Sequence, residues 1–263
     1  MKLNRENYYS QKSNKEFMSV SQFKDFYKCP ALAMAKLDGF NEFSNNTALL
    51  VGNYVHSYFE SKEAHNEFLE ENNEAIHTKK GTKRADFLTA EKMINKLKND
   101  NFFNFIYQGE KEHILQESLF NVPWKARIDC LNVEQGYFVD IKTTASIDKR
   151  YWSDKYNRMV SFVENYDYVI QMAIYKVLLE KEFRKEFEPY IVAVSKDEPT
   201  NIEAIKFDHD RFDFEYDLVE SLLPNFMDIK NGEAEAYGCG KCAYCKQNKQ
   251  LSKFIEVAEL LGD

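Results

Sequence analysis

The chain has no run of apolar residues near the roughly 18 needed to cross a bilayer, so no membrane-spanning helix is expected. Its start lacks the basic segment and apolar run of a secretory leader, and a cytoplasmic location is the default expectation. It carries no internal repeat and no low-complexity tract, which sets repeat architectures aside. It also lacks a surplus of positive charge: 35 Lys and Arg stand against 43 Asp and Glu, for a net charge of −8. That argues against a protein coated in basic residues for non-specific nucleic-acid binding. It does not exclude a local basic groove, and active-site carboxylates themselves add negative charge. Cysteine is scarce, with five in the chain. In a cytoplasmic protein these are not expected to form structural disulfides, so their spacing matters more than their number.

What is present is an ordinary globular composition, 44% hydrophobic and 30% charged over 263 residues. That length suffices for one large domain or two small ones with a real core. Residues 1–18 are polar and are expected to be partly disordered. From Ser19, the spacing of Phe23, Phe26, Tyr27, Leu32, Met34 and Leu37 predicts helix, capped by Ser19 or Ser21 and interrupted at Pro30. Further helices are predicted over about 48–71 and 89–99, with a basic loop, His77 to Arg84, between them. Near Ile114 the character changes. Residues 114–120, 124–133 and 137–142 read as strands joined by short turns, hence an antiparallel meander. A long helix over 162–187, strands over 190–194 and 201–207, and a helix over 209–230 capped by Asp208 follow. The expected fold class is α/β (α+β): a central mixed β-sheet with an antiparallel meander, flanked by helices.

The most informative stretch is Asp140-Ile141-Lys142, at the end of a short apolar strand. Alternate strand residues share a face, so Asp140 and Lys142 point one way and Ile141 points into the core. Asp129 lies in the preceding strand, inside the apolar run Ala126-Arg127-Ile128-Asp129-Cys130-Leu131. Charged residues are rarely set in such runs unless paired or ligating. Two carboxylates can bind Mg²⁺, which activates water and stabilises charge on a phosphodiester. Lys142 is placed to orient or deprotonate the water or to stabilise the transition state, and the Ile141 carbonyl is a further candidate ligand. The bland alternative is a pair of strand-end surface carboxylates with a solvated lysine.

Asp129 followed by Asp140-Ile141-Lys142 resembles the core motif of the PD-(D/E)XK nucleases. Gly52-Asn53-Tyr54-Val55-His56 is similar to the Gly-x-x-x-His helix of the RecB-like branch, and Gln171-Met172-Ala173-Ile174-Tyr175 to its Gln-x-x-x-Tyr helix. The resemblance covers about residues 19–245. It implies a restriction-endonuclease-like core and a single nuclease domain over 19–263 with a cysteine-bearing tail. It also implies His56 as a metal ligand beside Asp129 and Asp140, Gln171 near the lysine or the DNA end, and Tyr175 at the phosphate. The closest likeness is to phage-type and RecE-like exonucleases. That implies a Mg²⁺-dependent (or Mn²⁺-dependent) DNase acting on double-stranded DNA ends, often as a homo-oligomer, with a single-strand annealing recombinase as partner. An endonuclease on the same core, or a non-catalytic metal-stapled DNA-binding module, are the alternatives. Read as residues alone, His56 fits a buried core histidine, Gln171 and Tyr175 fit packing on one helix face, and Glu117 is either an extra carboxylate or a solvated strand residue.

Cys239, Cys242 and Cys245 form Cys-x-x-Cys-x-x-Cys, a spacing that lets thiolates converge on one metal centre. Cys29 is the candidate fourth ligand. Some RecB-like nucleases carry a 4Fe-4S cluster held by one N-terminal and three C-terminal cysteines. The last spacing here is shorter than theirs, which leaves zinc or no metal as alternatives. Cys130, beside Asp129, reads as a buried apolar residue. Lys149, Arg150, Lys155 and Arg158, interleaved with Tyr151, Trp152 and Tyr156, are the candidates for phosphate contact and base stacking. The 77–84 loop is a second candidate, with a solvated loop as its alternative.

Overall fold

A computed structural model describes residues 1–40, 47–251 and 253–257. The chain opens with helices α1 (Gln11–Glu16), α2 (Val20–Lys28), α3 (Pro30–Leu37), α4 (Thr47–Glu60), α5 (Lys62–Glu71), α6 (Asn73–Ile76), α7 (Ala85–Lys98) and α8 (Asn101–Ile106). Strands β1 (Glu110–Leu119), β2 (Val122–Asn132) and β3 (Tyr137–Thr144) follow, then a hairpin of β4 (Tyr151–Ser153) and β5 (Arg158–Val160). After α9 (Phe162–Asn165) and α10 (Tyr168–Phe183) come β6 (Glu188–Ser195), β7 (Ile202–Lys206), α11 (Asp210–Asn231) and α12 (Ala243–Gln247).

The main sheet has the order β1-β2-β3-β6-β7, with β3 and β6 parallel and the other pairs antiparallel. This is the expected mixed sheet with a meander at one side. Alternation sorts the core strands onto two faces. Phe138, Ile191 and Ala193 pack with α2, α10 and α11 residues such as Phe23, Ile174 and Phe226. Val139, Ile141, Val192 and Val194 pack with α4 and α7 residues such as Val51, Val55, Met93 and Leu97. The sheet therefore carries helices on both sides, and Asp140 and Lys142, opposite in phase to Ile141, face the α10 side.

Several boundaries differ from the sequence reading, each for a local reason. Pro30 does start a new helix, and Ser19 Oγ accepts from Gln22 N–H at 3.3 Å to cap α2. The predicted helix over 48–71 is two, because Ser61 adopts an extended backbone and caps α5 by accepting from Ala64 N–H. The predicted helix over 162–187 is also two, divided at Asp167, whose φ of 54° is left-handed. Asp208 does not cap α11 with its side chain; its backbone carbonyl accepts from Arg211 N–H. The β4–β5 hairpin lies in a stretch that the sequence marks only by its charges and aromatics.

The first 18 residues were expected to be partly disordered, yet they pack. Leu3, Tyr8 and Phe17 are buried and form a cluster with Ile114. Their polarity is internal: the buried Lys125 ammonium donates to the Tyr8 carbonyl at 2.5 Å, Ser13 Oγ at 3.0 Å and Asn14 Oδ1 at 2.6 Å. A buried cation needs such acceptors, and this polar segment supplies them. No helix among the described residues is long and apolar enough to cross a membrane.

Candidate active site

The β2–β3 ladder ends at Cys130–Val139, one residue short of Asp129 and Asp140. Beyond that point the Ile141 N–H donates to the Asp129 carboxylate, Oδ2, at 2.8 Å. A side chain thus takes the place of a strand-to-strand backbone bond. The alternation of β2 also breaks here, since Ile128 and Cys130, two apart, enter different halves of the core. The two acids therefore stand just past the end of the ladder, and both line one cleft.

His56, from α4, lies with Nδ1 3.1 Å from Asp129 Oδ2. Burial pulls the His56 pKa down, but the Asp129 carboxylate outweighs it and leaves the imidazole pKa raised. Burial pushes Asp129 up, and His56, Lys142 and the Ile141 N–H together bring it below the usual carboxylate range. Asp140 is held at both oxygens: Gln171, from α10, donates to Oδ1 at 2.7 Å, and Lys142 Nζ lies 2.6 Å from Oδ2. Burial dominates there and raises the Asp140 pKa to about 6. Lys142, despite burial, is kept protonated by Asp140, so it meets the cleft as an ammonium.

Glu112 completes the group. It sits on β1 between Lys111, paired with Cys130, and His113, paired with Ile128, and so faces Asp129 across the ladder. Its ligand atom, with those of His56 and Asp129, lies in a set all within 4.8 Å of one another. Glu112 has a φ of 56°, strain of the kind that persists where surrounding structure enforces it. Its Oε2 approaches Arg127 Nε at 2.6 Å, yet neither this oxygen nor Asp140 Oδ2 has a partner in hydrogen-bonding geometry. Burial and the Asp129 charge raise Glu112 to about 7. Two buried carboxylate oxygens without a well-aligned donor, beside an imidazole and a third carboxylate, form a donor set that fits a divalent cation.

A cleft of about 240 Å³ opens on these groups, lined by His56, Arg127, Asp129, Asp140, Lys142, Gln171 and Tyr175 among others. A second cleft of about 420 Å³, bordered by Thr143, Thr144, Tyr166, Tyr168 and Lys196, shares Asn53, His56 and Lys142 with the first. The two clefts thus adjoin at Asn53, His56 and Lys142. Gly52 of α4 faces Thr143 of β3, and a Cβ there would lie 3.4 Å from Thr143 Oγ1, an ordinary contact.

The other expected residues divide. Glu117 pairs opposite Trp124, well along β1, and is not in the converging set; Glu112 holds the position assigned to it. Lys155 is a correction: its side chain is 8% exposed, with Glu215 at 2.5 Å and Asp167 at 3.5 Å, because buried carboxylates there need a cation. Arg158 is half-exposed and pairs with Glu164 at 2.6 Å. Lys149 and Arg150 are exposed, and Trp152 is exposed with its Nε1–H donated to Asp154. None of these five lines either cleft. Sequence reasoning missed Glu112, Arg127, Lys24, Tyr8 and Tyr9. The period-two run Lys125, Arg127, Asp129 was the available signal for Arg127. Lys24 sits over the Tyr168 ring at 5.1 Å and Lys142 over the same ring at 4.6 Å. Burial and the Lys142 charge lower the Lys24 pKa to about 7.

The family of PDDEXK-like domains of unknown function (DUF3799) has a model that matches residues 19–248. The chain belongs to this family, and with it to the PD-(D/E)XK nuclease superfamily. It is 34% identical to the Eubacterium rectale protein whose crystal structure carries the name "Putative exonuclease", covering 100% of this chain and 99% of that one at a TM-score of 0.92. A second solved structure, SSO0001, is 15% identical over 85% of this chain at a TM-score of 0.32. No curated protein matches. The fold is that of a nuclease, and its His-Glu-Asp group is of the kind with which such nucleases bind a divalent metal.

Proposed function

We propose that this member of the PD-(D/E)XK superfamily is a Mg²⁺- or Mn²⁺-dependent exonuclease of the RecB-like branch. Its substrate is linear double-stranded DNA, from which it exposes single strands for recombination. The observation that carries the reading is the convergence of His56, Glu112 and Asp129 beside the Asp140–Lys142 pair, where two clefts share the His56 and Lys142 side chains. His56, Glu112 and Asp129 would hold the cation, with Asp140 and the Ile141 carbonyl as the further ligands that the family resemblance implies. The carboxylates in the set suit either ion, and the imidazole nitrogen favours Mn²⁺ over the harder Mg²⁺. A divalent ion there supplies an activated water and charge stabilisation on the phosphate. Lys142, held protonated, offers its ammonium to the negative charge that develops on the phosphoryl oxygens. Gln171 fixes one oxygen of Asp140 and so orients the carboxylate toward the cleft. Tyr175 and Arg127 border the space a phosphate would enter.

The likeness to the Eubacterium rectale protein over nearly the whole of both chains supports an exonuclease rather than a restriction-type enzyme. A product with single-stranded ends is a substrate for an annealing recombinase, which is the partner class this activity implies. Digestion of end-labelled linear duplex and of covalently closed circles, each with Mg²⁺, tests the reading. Stepwise release from linear DNA with intact circles is expected. Cutting of closed circles would show an endonuclease, and binding without cleavage in Mg²⁺ or Mn²⁺ would remove the enzymatic claim.

A further inference from the structure

More than 200 residues separate Cys29 from the three cysteines of the tail, yet the four sulfurs all lie within 4.8 Å of one another. Cys29 Sγ is 3.6 Å from that of Cys245 and 3.8 Å from that of Cys242, and Cys239 Sγ is 4.0 Å from that of Cys245. Cys29 and Cys245 each neighbour two other sulfurs, a pattern of shared approach rather than of two pairwise bonds. A single ion with Zn–S bonds of about 2.3 Å sets its four sulfurs at the corners of a tetrahedron with edges of about 3.8 Å. A 4Fe-4S cluster bonds each thiolate to a different iron on the outside of a cube, which spreads the sulfurs to about 6 Å. The observed separations match the first arrangement and are too short for the second.

The surrounding backbone fits the same centre. Lys241 and Cys242 N–H donate to Cys239 Sγ at 3.4 and 3.3 Å, Cys245 N–H to Cys242 Sγ at 3.4 Å, and Cys239 N–H to Cys29 Sγ at 3.4 Å. Such donors offset the negative charge of thiolates gathered on one ion. Gly240 takes a φ of 72° between Cys239 and Cys242, and a Cβ on Gly238 would come within 2.9 Å of Cys245 Sγ. Among the described residues of the tail, the helix α12 has five residues and buries none, and the ties to the rest of the domain include Ala234 and Ala236 packed on the main core, Ala31 N–H to the Tyr237 carbonyl and a Phe40–Tyr244 ring contact.

We propose that Cys29, Cys239, Cys242 and Cys245 hold one tetrahedral Zn²⁺ ion rather than a 4Fe-4S cluster, and that this ion fastens the C-terminal tail to the elbow between α2 and α3. Four Zn–S bonds form, the thiol protons leave to solvent, and no electron is transferred. The elbow matters to the nuclease site because α2 leads from Ser19 and Ser21, which line the cleft, through Lys24 to Cys29 at its C-cap. The metal assignment stands on sulfur geometry and does not depend on the nuclease reading.

The test is metal and sulfide analysis of full-length protein, purified without oxygen from cells supplied with both iron and zinc. About one zinc per chain, no acid-labile sulfide and no absorbance near roughly 400 nm are expected. Cobalt exchange should give the strong visible bands of a tetrahedral thiolate site. Cys242→Ser should lose the ion and make the tail several-fold more sensitive to protease. A brown protein with about four irons and sulfide per chain would overturn the proposal. So would a folded wild-type protein free of metal whose four thiols all react with a thiol reagent. The wild-type metal content decides the matter even if the serine variant fails to fold.

Discussion

Glu112 and Asp129 face each other across the β1–β2 ladder, two buried carboxylates on neighbouring strands with His56 beside them. Like charges so placed repel, and the pair persists because Arg127 and His56 each offset one member. That arrangement is costly as packing and apt as a cation site.

It follows that Glu112→Gln should lower nuclease activity by about 100-fold or more, the scale of losing a group that acts on transition-state charge, and should weaken Mn²⁺ binding measured by calorimetry. Glu117→Gln should leave both close to wild type, since Glu117 lies outside the converging set. Equal effects from the two substitutions would remove Glu112 from the site.

Gln171 donates to Asp140 Oδ1, and Asp140 is almost fully buried. Gln171→Leu leaves that carboxylate oxygen unsatisfied, at about 1–3 kcal/mol. It should also raise the Asp140 pKa further, because a hydrogen bond to the ionised form is lost. The acid limb of the pH–rate profile should therefore move to higher pH, with kcat falling more than KM changes. An unshifted limb would make Gln171 a packing residue only.

The parts of this site legible in the sequence were those fixed by local periodicity. Strand alternation gives the common face of Asp140 and Lys142, and one helix face gives Gln171 and Tyr175. Glu112 was hidden because its strand begins at Glu110, before the apolar run that marked the predicted start at 114, and because its backbone is left-handed. Tyr8 and Tyr9 were hidden because their place depends on Lys125, more than 100 residues later, drawing the polar segment inward. The sheet and most of its helices could be read because burial on two faces writes itself into composition. The helix breaks at Ser61 and Asp167 could not, since both turn on a single residue's backbone.

Metal-free protein should lose stability through Asp140 as pH rises from about 4 to 6. Its pKa is raised from 3.8 to about 6 in the folded protein. The native state therefore binds the proton more tightly than the unfolded chain, and that advantage disappears as pH climbs through the folded value. Glu112 acts in the same direction up to about 7, and the raised His56 pKa adds to it, while Asp129, lowered, is already ionised across this range. Lys24, lowered to about 7, works oppositely above neutrality. Asp140→Asn isolates one share: with chelator present, its melting temperature relative to wild type should climb by a few degrees between pH 4.5 and 6.5, about 2–4 °C per kcal/mol. A difference that stays flat with pH would contradict the raised pKa. Saturating Mn²⁺ should reverse the wild-type trend, because ligation requires the deprotonated groups.

Lys155 and the pair Lys149 and Arg150 stand close in sequence and differ in what surrounds them. Lys155 lies between Asp167 and Glu215, both buried, and the Tyr156 hydroxyl also donates to Glu215. Removing the ammonium by Lys155→Ala strands buried carboxylate charge, a loss of about 3–5 kcal/mol, and urea melts should register it as a lower midpoint. Lys149 and Arg150 are exposed, so Lys149→Ala with Arg150→Ala should leave the melt within about 0.5 kcal/mol of wild type. If that segment follows the DNA backbone, the double variant should bind duplex more weakly and show a salt slope shallower by up to about two, one for each phosphate the protein no longer neutralises. An unchanged salt slope would place the backbone path elsewhere, along the concavity bordered by Lys196 and Tyr168. A double variant that unfolds early while Lys155→Ala does not would invert the assignment of all three residues.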